Sequence, residues 1–187
     1  MANRILVNFA HPRFESSAAN QMMVSAIKDL EGVTFNDLYE EYPDFLIDIK
    51  REQELLLTHD IIIFQHPLYW YSAPALLKEW QDLVLEAGFA YGELGYQLEH
   101  KYWLNAVTVG GTYESYSEEG YNHYPLDVSL KPFEQTATFC GMNFLKPFAV
   151  YDVMRISKEK MVDAAESYRK HIIGLQNHLD LATGTYT

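Results

Sequence analysis

The stretch Phe64-Gln65-His66-Pro67-Leu68-Tyr69-Trp70-Tyr71-Ser72-Ala73-Pro74 follows the apolar run Ile61-Ile62-Ile63 and puts a proline and three aromatics where a buried strand gives way to a helix. A flat, redox-active ring needs apolar walls, closely approaching backbone amides and a shaped rim, and such a turn supplies all three. Amides in a tight turn have fixed directions and suit the pyrimidine carbonyls and N5 of a flavin. Pro67, Leu68, Tyr69 and Trp70 are its expected walls. The competing role for the triplet is to pack a helix into the core.

A second constellation, His11-Pro12-Arg13-Phe14-Glu15-Ser16-Ser17-Ala18-Ala19-Asn20, joins the first apolar run to an amphipathic stretch. A helix N-terminus offers unpaired N–H groups and the positive end of its dipole, so the amides around Ala18 and Ala19 can hold a phosphate. Ser17 and Asn20 add donors one turn apart, and His11 can donate from its ring. Ser17 serves equally well as a plain N-cap and His11 as a structural histidine. Neither GxxxxGK[ST] nor GxGxxG is present. The third constellation is Gly110-Gly111-Thr112-Tyr113-Glu114-Ser115-Tyr116, where a strand ends in two glycines that let backbone approach a ligand. The loop beyond carries Tyr116 and His123, either of which can donate to a substrate carbonyl. The glycines read also as a simple turn, and the tyrosines as a dimer contact.

The elements that must position these residues follow from periodicity. Strands are expected at Arg4–Ala10, Val33–Asp37, Asp60–Gln65, Tyr102–Val109 and Asn143–Tyr151, and helices at Ser17–Leu30, Ile47–Thr58, Ala73–Glu86, Leu126–Cys140 and Lys158–Leu181. The unbroken apolar character of the third strand argues for burial on both faces. Strict alternation implies an α/β flavodoxin-like three-layer sandwich, with helices on both faces of a five-stranded parallel sheet of order 2-1-3-4-5. The ligand is expected across the ends of the first and third strands.

A chain of 187 residues, 48% hydrophobic and 21% charged, fits one domain over 1–187, without a linker. A net charge of −12 disfavours nucleic acid and anionic lipid. The single cysteine, Cys140, excludes an internal disulfide and reads as a small buried hydrophobe. With no leader-like segment, a cytoplasmic location is expected. No HExxH pair or CxxC spacing supports a metal site, no GxSxG supports a serine hydrolase, and acidic pairs such as Glu118-Glu119 read as solvated surface. A cofactor enzyme needs few side-chain catalysts, which fits this shortage.

Taken in order along nearly the whole chain, several stretches match one family: His11-Pro12 with Ser17 and Asn20, Leu38-Tyr39 through Tyr42-Pro43-Asp44-Phe45, and Gln65 to Tyr71. Pro74 to Lys78, Phe89 to Gly92, Gly110-Gly111 and Phe139-Cys140-Gly141 match as well. The chain resembles flavodoxin-like NAD(P)H:quinone oxidoreductases of the DT-diaphorase type. The likeness is closer to small bacterial members, including ancillary quinone reductases of glutathione-gated potassium efflux systems. The resemblance implies a homodimer with interfacial active sites, two-electron ping-pong hydride transfer from NAD(P)H to a quinone or related acceptor, and FMN, or FAD, as cofactor. It places the flavin phosphate at His11 to Asn20, the ring on Pro67 to Trp70, and Gly110, Gly111, Thr112 and Tyr113 on the far side of the ring. Tyr116 and His123 match the family's Tyr and His that assist charge shifts on reduced flavin. It also implies a second function: a flavin-binding regulatory subunit docked on an efflux protein at the inner membrane.

Overall fold

Three runs that are buried at every position, Ile5–Phe9 (β1), Ile61–Pro67 (β3) and Tyr102–Thr108 (β4), form the centre of a parallel sheet. In this computed structural model the described residues are 2–180 and the short strand Thr185–Tyr186. Val33–Asp37 (β2) pairs with β1 on one side. Asn143–Phe144 (β5) and Phe148–Val150 (β6) both pair with β4 on the other, giving the order 2-1-3-4-5. The chain therefore has the flavodoxin-like fold, with six strands in the main sheet where the sequence suggests five. Between Trp103↔Phe144 and Ala106↔Phe148, the residues Leu145, Lys146 and Pro147 oppose only Leu104 and Asn105. One residue is in excess, a bulge, and Pro147 has no N–H to give to the ladder, so the expected strand Asn143–Tyr151 divides.

Consecutive residues of the central strands point to opposite layers. Leu6, Ile62, Phe64 and Trp103 meet Leu56, Leu77, Trp80 and Phe133, while Ile5, Val7, Ile61 and Ile63 meet Met23, Ile27, Tyr168 and Ile172. The first layer is built by Ile49–Thr58 (α3), Ala75–Val84 (α4) and Leu126–Phe139 (α5), and the second by Ala18–Ile27 (α1) and Lys158–His178 (α6). Asp48 caps α3 by accepting the Arg51 amide. A four-residue helix, Leu38–Glu41 (α2), opens on Asp37, whose carboxylate accepts the amides of Tyr39 and Glu40. Leu179–Asp180 (β7) pairs with Thr185–Tyr186 (β8). The expected helix end at Leu181 lies outside the described residues. Cys140 is buried, and burial pushes its thiol up to about 11.

The first layer also buries a carboxylate. Glu52 Oε2 accepts from Trp80 Nε1 at 2.8 Å and Asn36 Nδ2 at 2.9 Å, and Oε1 accepts from the Tyr42 hydroxyl at 2.7 Å and from Arg51 Nη1. Asn36 Nδ2 also donates to Asn8 Oδ1, so this network ties β1, β2, α3 and α4 together beneath the carboxyl end of the sheet.

His66, on β3, is fully buried between the Pro67 carbonyl, which accepts its Nδ1 proton at 2.9 Å, and the Asn105 amide, which donates to its Nε2 at 3.0 Å. Burial holds the imidazole down to about 4, against an ordinary 6.5. Between those values the unfolded chain binds the proton and the native state does not. Stability therefore falls as pH drops from 6.5 towards 4, by up to about 3 kcal/mol from this residue. Urea midpoints taken across that interval are expected to show the loss, and His66→Asn to flatten the slope; equal slopes for the two proteins would refute it.

Candidate functional site

At the end of β1 the chain turns through His11, which is buried, and the Arg13 amide donates to its Nδ1 at 3.1 Å. That bond makes Nδ1 the acceptor and leaves the proton on Nε2. Burial holds the imidazole below its ordinary value despite nearby Glu15, so the neutral ring is favoured. A single 3-10 turn, Phe14–Ser16, then leads into α1. Ser17 occupies the N-cap position, yet its hydroxyl bonds no first-turn amide; it accepts from Asn20 Nδ2 instead, at 3.0 Å. The first helical bond runs from the Gln21 amide to the Ser17 carbonyl. The Ala18 and Ala19 amides thus stand uncapped at the positive end of the helix. They border a cleft of about 540 Å³ shared with His11, Arg13, Pro67, Thr108 and Gly110, a size typical of small-molecule sites.

Beyond Pro67 the chain makes a hairpin. Tyr69 and Ser72 exchange both backbone bonds, at 3.1 and 3.0 Å, and the residues between them, Trp70 and Tyr71, have φ of 50° and 61°. Two consecutive left-handed residues define a type I′ turn, normally the place of Asn-Gly. For side-chain-bearing residues that conformation costs roughly 1–2 kcal/mol each. Trp70 is 93% exposed, so core packing does not offset the strain. Strain of this kind is held where a particular display of backbone and side chain is used. Trp70→Gly is expected to raise stability by up to about 1 kcal/mol. A lowered melting temperature in that variant would show that the ring contributes more to the fold than the strain costs.

On the far side of the hairpin, Gly110 and Gly111 open the long loop. A Cβ on Gly111 would lie 2.6 Å from Ser115 Oγ and 3.0 Å from the Tyr116 ring, so only glycine lets that ring close over the backbone. Tyr116 leans on Tyr151, centroids 6.1 Å apart, and Tyr113 meets Tyr151 edge-on at 5.4 Å. The Tyr71 hydroxyl donates to Asn122 Oδ1 at 3.0 Å, tying the hairpin to the loop. Together they enclose a pocket of about 810 Å³ walled by Tyr71, Tyr116, Tyr121, Tyr124 and His123, with Glu119 also in the wall. Leu68, Trp70, Tyr71 and Tyr116 line a narrow gap beside it. Burial, with Tyr71 nearby, pushes the Tyr116 phenol up, so it stays protonated and able to donate.

Of the residues singled out in the sequence, His11, Ser17, Ala18, Ala19, Pro67, Leu68, Tyr69 and Gly110 line the cleft. Trp70 faces the gap, and Tyr116 and His123 line the aromatic pocket. Asn20 stands apart: its side chain is fully buried, and Nδ2 spends its hydrogens on Ser17 Oγ and Thr108 Oγ1. Its side chain has no donor left for a ligand. Gly111, Thr112 and Tyr113 lie off the cleft wall, supporting the loop; Gly111 accepts the Asp152 amide and Thr112 the Ser115 amide. Among the lining residues that escaped the sequence reading are Arg13, Thr108 and Tyr71 in its pocket role. Thr108 ends a strand two residues before the glycines, and its polarity amid an apolar run was the available signal.

This fit is to a molecule with an anionic group at one end and a flat ring at the other: uncapped amides and hydroxyls at the α1 end, aromatics at the hairpin end. Comparison with known proteins agrees on the fold. The family described as having a flavodoxin-like fold matches residues 3–172. A glutathione-regulated potassium-efflux system ancillary protein KefG from Yersinia pseudotuberculosis is 46% identical over 165 residues, 88% of this chain and 91% of that protein. The crystal structure of general stress protein 14 from Treponema denticola in complex with FMN is 32% identical, covering 92% of this chain and 99% of that one at a TM-score of 0.89. An NADPH-quinone reductase from P. pentosaceus is 30% identical, covering 90% and 96% at 0.82.

Proposed function

The chain belongs to the flavodoxin-like fold family, and from that membership we propose that it is an FMN-dependent NAD(P)H oxidoreductase reducing quinones or related acceptors. The observation that carries this reading is the meeting, at one strained hairpin, of a donor-lined cleft and an aromatic pocket. The relatives named as an FMN complex and as a quinone reductase support it.

Under this reading the His11 Nε2 proton, the Ser17 hydroxyl and the Ala18 and Ala19 amides would hold the phosphate. Pro67 to Trp70 would carry the ring. FMN bound there would supply a two-electron hydride carrier between NAD(P)H and the acceptor. Tyr116, held protonated, donates a hydrogen bond towards the charge that gathers in the pocket, and His123 stands on the same wall. Tyr71, Tyr121 and Tyr124 present flat faces on which a planar acceptor would stack. The exposed Tyr113, Tyr121 and Tyr124 also suit the interface of a homodimer.

The test is an absorbance spectrum of purified protein incubated with FMN and desalted, then treated anaerobically with NADPH and a benzoquinone. Retained yellow colour that bleaches with NADPH and returns with quinone is expected; failure to retain FMN would sink the reading. Acceptor charge gives a finer prediction. Glu119 and four tyrosines border the pocket and no Lys or Arg does. Neutral naphthoquinones are therefore expected to exceed sulfonated ones in kcat/KM by about tenfold at low salt, the gap narrowing as salt screens Glu119. Equal rates would refute this.

The KefG relative favours a second reading, a regulatory subunit of a potassium-efflux protein. The net charge of −12 suits docking on a basic partner surface. Among the described residues no helix is long and apolar enough to cross a membrane. Partner activation that persists in a Tyr116→Phe, His123→Ala double variant without reductase activity would establish the regulatory role.

A further inference from the structure

We propose that Asn122 is a positioning residue that fixes Tyr71 as a hydrogen-bond acceptor on the wall of the aromatic pocket, so that the pocket prefers quinones bearing an N–H or O–H beside the reducible carbonyl. The proposal rests on the oxidoreductase reading above. Its basis is a chain of hydrogen bonds that runs one way. The Ser115 hydroxyl gives its proton to the Thr112 carbonyl at 2.7 Å. A hydroxyl has a single proton, so towards Asn122 the Ser115 oxygen can only accept, and it takes a hydrogen of Nδ2 at 3.3 Å. The Asn122 carboxamide is thereby oriented, with its nitrogen towards Ser115 and Oδ1 towards Tyr71, whose phenol donates to it at 3.0 Å.

The loop is built to hold this chain. The Asn122 amide donates to the Ser115 carbonyl at 2.9 Å, and a Cβ on Gly111 would lie 2.6 Å from Ser115 Oγ and 3.7 Å from Asn122 Nδ2. Bare backbone at Gly111 therefore lets the two side chains meet. Tyr71 arrives from the hairpin, half-exposed and at a φ of 61°, and among the described residues no other hydrogen bond holds its phenol. With its proton spent on Asn122, Tyr71 turns only lone pairs towards a ligand. Tyr116 is the complement: its hydroxyl has no partner among the described residues, so its proton is free for a ligand carbonyl. Both tyrosines line the large pocket and the narrow gap beside it. A quinone with an amino or hydroxyl group beside its carbonyl satisfies the two phenols together. A methyl group in that place displaces water from the Tyr71 oxygen and offers it nothing in return.

The test compares menadione, a methylnaphthoquinone, with the analogue in which an amino group replaces the methyl. Dissociation constants are read by quenching of tryptophan fluorescence, which reports on the pocket because Trp70 is exposed beside Tyr71 while Trp80 and Trp103 are buried. FMN-treated wild type, Tyr71→Phe, Asn122→Leu and Asn122→Asp are titrated, with a melting temperature for each. The ratio of the two constants is the readout, since a collapsed pocket weakens both quinones alike. Wild type is expected to favour the amino compound about fivefold, the worth of one net hydrogen bond. Tyr71→Phe keeps the ring and is expected to lose the preference. Asn122→Leu lets the phenol turn either way and is expected to bring the ratio towards one, whereas Asn122→Asp still accepts the phenol proton and is expected to keep it. A wild-type ratio near one, or a preference undiminished in Tyr71→Phe or Asn122→Leu, would overturn the proposal. If neither quinone binds wild type that retains FMN, the proposal falls while the flavin site stands. If FMN is not retained, yet the preference appears and goes with Tyr71→Phe, the polarity of the pocket stands and the FMN reading alone fails.

Discussion

Tyr116→Phe is expected to lower kcat/KM for acceptor reduction by about a hundredfold, the loss typical of removing one aimed donor from a water-poor site, while FMN affinity stays as in wild type. The variant keeps the ring that leans on Tyr151 and closes over Gly111, so the loop has no reason to move. What it loses is the phenol proton, which burial and the neighbouring Tyr71 keep in place. The discriminating measurement is the pair of constants together. A drop in turnover with unchanged FMN binding places Tyr116 at the charge that develops during transfer, whereas parallel losses of both would indicate that the loop had collapsed. Full activity would remove Tyr116 from the chemistry.

Glu52→Leu carries the largest expected cost to folding, about 3–5 kcal/mol, because it strands the buried donors that converge on the carboxylate. Trp80 Nε1, the Tyr42 hydroxyl and Asn36 Nδ2 all point at the two carboxylate oxygens, and among the described residues no other acceptor is offered to the first two. Against a total stability of about 5–15 kcal/mol, that is enough to leave much of the protein unfolded at 37 °C if the wild type lies near the lower end. Glu52→Gln preserves one acceptor oxygen and is expected to lose less. Urea midpoints at constant slope read the ranking wild type, Gln, Leu; a Leu variant as stable as wild type would mean that the network contributes nothing to stability.

The central strands were legible because burial on both faces leaves an uninterrupted apolar run, as in Ile61-Ile62-Ile63 and Tyr102 to Val107. Helices α3 and α4 were legible through their apolar spacing and the Asp48 and Pro74 signals at their starts. The divided fifth strand was not, because Pro147 sits within a stretch whose apolar content otherwise continues, and a one-residue excess leaves no mark on hydropathy. Helix α2 was missed because four residues are too few to show a period. At the site, chain order exposed the segments at the strand ends, yet not the roles of buried polar groups. Asn20 looked like a ligand donor by its spacing from Ser17, and only the meeting with Thr108, 88 residues away, turns its amide inward. Glu52 lies in the stretch expected to be helical, Ile47–Thr58, where nothing local says that Trp80 and Tyr42 will cover it.

The excess residue at Leu145–Pro147 has a consequence for how copies of this chain can meet. Strands β5 and β6 form one rim of the sheet, and a regular rim is a template on which a foreign strand can grow towards a fibre. Here Asn143–Phe144 and Phe148–Val150 are out of step by one residue, with a lysine and a proline between them. An incoming strand can match the first pair or the following three, but not both. Continuous strand pairing along this rim is therefore blocked.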